Sequence, residues 1–183
     1  MLQHVRLDEL NCGLLEIRQS PKDQGVVRAI VIRPGANERR SLPQGAASPE
    51  RGLHGDCWAQ GCWLTLPDGR PHPDVQVAIM NARTIALIAQ DHERWPLAGD
   101  NLYLDLDLSD ENLPCGQQLA IGAAVLAITE IPHNGCKKFA ERFGKDAVRF
   151  VNSPEGKALH LRGRYARVVH PGTISVGDVV KKI

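Results

Sequence analysis

The sequence predicts a mainly β protein, a barrel or sandwich with a few short helices. About eight or nine short apolar runs are separated by turn signals. Only two or three stretches carry helical spacing. No repeat, low-complexity tract or linker divides the chain, so residues 1–183 are read as one domain.

Taken in order, residues 12–19 alternate weakly and read as a strand. Residues 24–33 hold Val26-Val27 and Ala29-Ile30-Val31-Ile32, a second strand buried on both faces. Pro21-Lys22-Asp23 between the two reads as a hairpin turn. Residues 34–51 form a long polar loop with Pro34-Gly35, Pro43, Gly45 and Pro49, and such loops often carry function. Pro67-Asp68-Gly69 and Pro71-His72-Pro73 make another turn-rich stretch, and residues 75–80 a strand. Residues 82–94 are the clearest helix, with Ile85, Ile88 and Ala89 as its apolar stripe and Trp95-Pro96 as its stop. Leu102, Leu104, Leu106 and Leu108 alternate with Tyr103, Asp105 and Asp107, the signature of a half-exposed strand. Residues 117–121 and 123–131 follow as strands, and residues 148–151 extend a short helix. Residues 165–170 and 176–182 are terminal strands around the Pro171-Gly172 turn.

The stretch with the most chemistry is residues 132–144. Pro132 and Gly135 make a turn, and a helical pattern begins near Cys136. Phe139, Ala140 and Phe143 share its inner face, and Gly144 stops it. Cys136 is expected at a helix N-terminus beside Lys137 and Lys138, three residues after His133. Free N–H groups, the helix dipole and two ammonium groups favour a thiolate, the form that attacks sulfur or binds a soft metal. The bland alternative is a buried cysteine starting an apolar helix.

Composition bounds the function. The formal net charge is +1 and aromatics are 4% of residues, so neither a field for nucleic acid or membrane nor a stacking platform for single strands is expected. Residues 1–10 carry Arg6, Asp8 and Glu9 without an apolar core, so no signal peptide is expected there. Cys12, Cys57, Cys62, Cys115 and Cys136 are odd in number and scattered, unlike a disulfide framework; a reducing cytoplasm is the expected setting. No phosphate loop, dinucleotide fingerprint, nucleophile elbow or lysine-containing pyridoxal motif is evident.

Three blocks together resemble the MOSC domain, named for the C-terminal domain of molybdenum cofactor sulfurases. They are Gly52-Leu53-His54-Gly55-Asp56, then Gly99-Asp100-Asn101-Leu102 with Pro132…Cys136-Lys137-Lys138, then Arg162-Gly163-Arg164-Tyr165-Ala166-Arg167-Val168 with Pro171-Gly172 and Gly177-Asp178. The resemblance implies a β-barrel of mixed strands with a few short helices. It implies a cysteine that carries sulfur or ligates molybdenum, and hence the molybdenum cofactor. Carriers in the family receive sulfur from a pyridoxal-phosphate desulfurase, so pyridoxal phosphate would enter only through that partner. Other members reduce N-hydroxylated compounds. The 183 residues hold neither a desulfurase domain nor a ferredoxin-like tail, so a cysteine desulfurase or a redox partner protein is expected to supply sulfur or electrons.

Cys136, His133 and Lys138 are therefore the candidate catalytic residues, with Cys136 also the candidate metal ligand. His133, in the turn, is a candidate proton donor or cofactor partner. His54, Asp56 and Asn101 sit in glycine-rich turns at strand ends, where sites are built. Asp56 and Asn101 are equally explained as turn caps. Arg83, at a helix start, and Arg164 are candidates for anion contacts. Two other classes stay open: a non-catalytic cofactor- or anion-binding module, and a zinc-stabilised barrel using His54, Cys57 and Cys62.

Overall fold

The computed structural model describes residues 4–183. Two short helices open it, α1 (Leu7–Cys12) and α2 (Leu14–Arg18), where the sequence predicted a strand over residues 12–19. The reason is periodicity. Leu10 and Ile17 are seven residues apart, two helical turns, and both are buried, while Leu15 is 73% exposed. Pro21-Lys22-Asp23 therefore links a helix to a strand and is not a hairpin.

Strand β1 (Gly25–Ile32) follows, then β2 (Arg40–Leu42), β3 (Gln44–Ser48) and β4 (Gly52–Leu53). The expected loop over residues 34–51 thus contains two strands. Their composition hides them because β2 is an edge strand and only Gly45 and Ala47 of β3 are buried. Helix α3 (Trp58–Gly61) precedes β5 (Val77–Asn81) and α4 (Ala82–Ala89). Asn81 caps α4 by accepting the Thr84 N–H at 3.0 Å. The predicted helix over residues 82–94 stops at Ala89, and a 3-10 helix, His92–Ala98, continues through Pro96.

Strand β6 (Leu102–Asp105) pairs with β5 in parallel, and the helical crossover between them makes that possible. Strands β7 (Gln118–Ile121) and β8 (Ala124–Ile128) form a hairpin. Helices α5 (Lys137–Phe143), α6 (Lys145–Asn152) and α7 (Pro154–Ala158) come next. Strands β9 (Arg164–His170), β10 (Gly172–Ser175) and β11 (Val179–Lys182) end the chain. Strands β1, β11, β7, β8, β9, β5 and β6 close in that order into a barrel, because β11 pairs with both β7 and β1. Strands β10, β3 and β4 form a small second sheet.

Side-chain alternation divides the packing. Val77 and Ile79 join Val27, Leu102, Leu104, Ala166 and Val168 inside the barrel. Met80, Val31 and Tyr103 face outward and are covered by Leu10, Ile85, Phe139, Phe143 and Phe150 from the helices. The half-exposed strand expected over residues 102–108 is therefore buried on both faces. Tyr103 is fully buried, and its hydroxyl donates to the Trp95 carbonyl at 2.7 Å.

Candidate functional site

Cys136 is the N-cap of α5, with φ −117° and ψ 178°, and its carbonyl accepts the Ala140 N–H at 3.0 Å. Its side chain makes no capping bond, and the residue is exposed, as are Lys137 and Lys138. The preceding residue is clamped. Asn152 accepts the Gly135 N–H at 2.9 Å and donates to the Gly135 carbonyl at 3.0 Å. A Cβ at Gly135 would stand 2.9 Å from Val151 Cγ2, so the approach to α6 requires glycine. Buried Phe139 and Phe143, 4.9 Å apart between ring centroids, seat α5 against the outer core.

Beneath α5 lies a polar network built on the end of β1 and the turn before β6. Asp56 accepts the Arg33 backbone N–H at 2.7 Å, and Arg33 Nε and Nη2 at 2.9 and 2.7 Å. It also accepts Asn101 Nδ2 at 3.0 Å and the Trp58 N–H at 3.2 Å. Asn101 Oδ1 accepts from the Ala78 N–H at 3.0 Å and Arg33 Nη2 at 3.1 Å, and its Nδ2 also donates to Val31 O at 3.2 Å. Both side chains are spent inside the protein. Their work is to hold Arg33, which burial disfavours but Asp56 outweighs, keeping the guanidinium above its ordinary value.

The next residue, Asp100, is fully buried and accepts Arg162 Nη1 on both oxygens, at 3.0 and 2.7 Å. Burial still pushes its carboxyl up, against the pull of Arg162 and Arg33. The Arg162 guanidinium lies 4.8 Å over the Phe139 ring of α5, and its Nε has no partner. His133 stacks on Tyr165 at 4.4 Å between centroids. Its Nδ1 is 3.5 Å from Asp100 Oδ1, too long and poorly aimed for a hydrogen bond, and has no other partner. Burial first, then the Arg162 and Arg33 charges, holds the imidazole well below its usual range, so at neutral pH it is uncharged and this contact is not an ion pair.

Two further arginines converge on the same turn. Gly99 has φ +89°, and a Cβ there would lie 3.5 Å from Arg39 Nη2 and 4.0 Å from Arg142 Nη1. Arg142 Nη1 donates to Leu97 O at 2.7 Å, whereas the buried Arg39 Nε has no partner. Burial, then repulsion from Arg142 and Arg33, lowers the Arg39 guanidinium from its ordinary value. Residues 97–101 are thus ringed by Arg33, Arg39, Arg142 and Arg162, with Asp56 and Asp100 as the buried carboxylates among them. The excess of positive charge and the two unpartnered Nε groups suit an anion.

The residues singled out in the sequence divide between this site and elsewhere. Asp56, Asn101 and His133 belong to the network, and Cys136 and Lys138 belong to the helix above it. His54 stands beside Asp56 in sequence, with Nε2 3.2 Å from Ser48 Oγ. Arg83 lies apart. It pairs with Asp105 at 2.8 Å, donates to Glu16 O at 3.1 Å, and lines a groove of about 380 Å³ against α2. Arg164 lies apart too, because neighbours on a strand face opposite ways: Tyr165 joins the site while Arg164 turns inward. It donates to Leu113 O at 2.7 Å and Asp110 at 2.9 Å, beside a separate cavity of about 420 Å³ that also includes Cys115 and His160. Among the described residues no group of three or more His, Cys, Asp or Glu is placed to hold a metal, so the zinc arrangement of His54, Cys57 and Cys62 is not formed.

Sequence reading missed Arg33, Arg39, Arg142, Arg162 and Tyr165 and gave Asp100 only a turn role. The available signals were slight: Arg33 ends a doubly buried strand, and Arg162 is offset by two from Arg164, across a glycine.

The MOSC domain family matches residues 69–181, more than half of the chain. Among solved structures the fold is similar to YuaD from Bacillus subtilis, at 17% identity over 87% of this chain and 95% of that one, with a TM-score of 0.57. It is also similar to YiiM from Escherichia coli, at 16% identity over 86% of this chain and 69% of that one, with a TM-score of 0.54. YiiM from Geobacillus stearothermophilus is similar at 18% identity over 88% and 73%, again with a TM-score of 0.54. At such identities the likeness concerns the fold. No curated protein sequence matches the chain.

Proposed function

Because the chain belongs to the MOSC domain family, we propose that it binds the molybdenum cofactor and reduces N-hydroxylated compounds. Cys136 is the protein thiolate for the metal, and the guanidinium cluster is the seat of the cofactor's phosphate. The observation that carries this reading is the buried cluster itself. Arg33, Arg39, Arg142 and Arg162 exceed Asp56 and Asp100 in charge, and the Nε groups of Arg39 and Arg162 have no protein partner. Buried donors left unpaired cost free energy that a bound phosphate restores.

The bound metal would supply a soft, oxygen-accepting centre for the N–O group. The chain's own part is to hold and to shield. Gly135 and Asn152 fix the backbone before Cys136. Asp56 and Asn101 fix Arg33, and Asp100 fixes Arg162. His133 is uncharged at neutral pH, so we assign it to positioning against Tyr165 and Asp100 and not to service as an imidazolium acid. Lys138 is exposed one turn from no buried group of the network, and we assign it to the site's electrostatic rim. Electrons would come from a redox partner protein.

A sulfur-carrier role would use the same exposed Cys136 with a cysteine desulfurase partner, and pyridoxal phosphate would stay on that partner. It leaves the guanidinium cluster without a task. One experiment separates the two. Protein purified from cells that make the cofactor is assayed for molybdenum and phosphate, and separately incubated with a cysteine desulfurase and weighed by mass spectrometry. We expect molybdenum in the wild type and its loss in Cys136→Ser. A molybdenum-free wild type that gains about 32 Da at Cys136, one sulfur atom, would overturn the reductase reading. No helix of the described residues is long and apolar enough to cross a membrane. A cytoplasmic setting is part of this proposal, resting on the unpaired cysteines.

A further inference from the structure

Trp63 is 66% exposed, whereas Trp58 and Trp95 are buried at 7% and 9%. An exposed indole on a floppy loop would carry no information. This one is held. The Trp58 indole N–H donates to the His72 carbonyl at 3.1 Å, and the His72 N–H donates to Leu64 O at 3.0 Å. A bridge between Thr65 and Pro71 closes the small hairpin that follows Trp63. Cys62 and Leu64 on either side pack onto the cluster of Trp58, Val75, Ala78 and Tyr165. The loop is anchored at both ends, and the ring between its anchors is left in solvent.

The direction in which it stands is informative. Trp63 and Tyr165 have ring centroids 6.3 Å apart, tilted by 42°. Tyr165 and His133 are stacked at 4.4 Å and 26°. His133 in turn reaches Asp100 at the floor of the guanidinium cluster. A row of rings therefore runs from the buried cluster to the surface: His133, Tyr165, Trp63. The inner two are at most 9% exposed, so only the outermost ring offers a face to a ligand. The other large exposed apolar residues, Leu15, Leu97, Val169, Val176, Val179 and Ile183, lie outside residues 57–72. An isolated ring of this kind matches the size of a small molecule better than the contiguous apolar patch of a protein interface. Trp63 also precedes the residues matched by the family, so it belongs to this chain's own elaboration of the fold.

We propose that Trp63 is a specificity-determining residue, and that the N-hydroxylated compound handled at this site is a planar aromatic one stacked on its indole. The inference rests on the reductase reading for the identity of the reacting group, but the stacking itself needs neither metal nor Cys136. Aromatic faces of ligand and protein prefer offset stacking, and one such contact on an exposed platform changes affinity by roughly tenfold or more.

The test uses a matched pair of probes, 2-naphthohydroxamic acid and acetohydroxamic acid, which share the N-hydroxy head and differ in the ring. Binding to the full chain is measured by calorimetry and by indole emission. The naphthyl probe is expected to quench emission saturably, because Trp63 is the exposed indole of the three. Trp63→Ala should weaken the naphthyl probe about tenfold and leave the acetyl probe unchanged. Trp63→Phe should restore part of the loss. In cofactor-loaded protein, Trp63→Ala should raise KM for an aryl substrate while kcat holds. Cys136→Ser should bind the naphthyl probe as the wild type does. The proposal is overturned if Trp63→Ala binds the naphthyl probe unchanged, which would leave the indole to a macromolecular partner. It is equally overturned if both probes weaken alike. Failure of the reductase reading shows separately, as molybdenum content indifferent to Cys136.

Discussion

At the scale of single residues, the five cysteines differ by surroundings more than by type. Cys12, Cys115 and Cys136 are exposed, while Cys57 and Cys62 are partly covered. Partial desolvation, and then the Glu130 carboxylate, push the Cys115 thiol up. Its Sγ also lies 3.8 Å from the Ile128 carbonyl as a donor. Iodoacetamide at neutral pH should therefore modify Cys136 before Cys115, read by peptide mass spectrometry. Cys136 as the slowest thiol would remove it from the chemistry. Cys136→Ser should fold normally, since serine suits an N-cap, and should lose molybdenum. Asp100 and Arg162 give a second prediction at this scale. Arg162→Ala leaves a buried carboxyl with no guanidinium, and removing one partner of such a pair costs about 3–5 kcal/mol. Denaturant unfolding measures it. A loss below about 1 kcal/mol would mean that Asp100 is simply protonated and content.

At the scale of elements, the site depends on how α5 meets α6. Sequence reading foresaw the turn, the helix start and the inward face of Phe139 and Phe143. It did not foresee that Asn152, at the end of α6, would clamp Gly135. That contact spans 17 residues and has no local pattern. Asn152→Ala removes both bonds and should destabilise by about 1–3 kcal/mol, the cost of unpaired backbone groups. Gly135→Ala should cost a similar about 1–3 kcal/mol by overpacking against Val151. Both should lower molybdenum retention while Cys136 itself is intact. Retention unchanged in both variants would show that the turn needs no clamp. The same element scale explains the helices missed at the start of the chain. In residues 7–18 the weak alternation competes with seven-residue spacing of Leu10 and Ile17, and the outer core decides for the helix.

At the scale of the molecule, two buried imidazoles couple folding to pH. Burial and the Arg162 and Arg33 charges hold His133 well below 6.5, and burial and Arg164 lower His160. In the unfolded chain both bind a proton near pH ~6.5. Their contribution is therefore complete above that pH and is lost as pH falls from there through the lower folded values. Asp100 acts in the opposite sense. Its raised carboxyl contributes below the unfolded value of 3.8, and that contribution is lost as pH rises through the folded one. Stability should thus decline between about pH 7 and 5.5, where the imidazoles dominate. His133→Phe keeps a ring on Tyr165 and removes a titrating group, so chemical denaturation across that range should give a shallower slope. An unchanged slope would mean that His133 is not buried uncharged.

The sequence by itself determined the strands of the barrel, the turn before Cys136, the helix it begins and the family. Those are local facts. Apolar runs at period 2, glycine and proline at fixed places, and Phe139 with Phe143 on one face need no knowledge of distant residues. Only the tertiary structure decided which polar groups meet. Arg33, Asp56 and Asn101 come from three separate segments, and their bonds turn two expected ligand contacts into internal supports for an arginine. Strand parity sent Tyr165 to the site and Arg164 to the barrel interior, and the Asp105 ion pair took Arg83 elsewhere. An arginine on a surface and an arginine in a buried cluster look alike in sequence. Burial and partner geometry distinguish them, and both are properties of the folded chain.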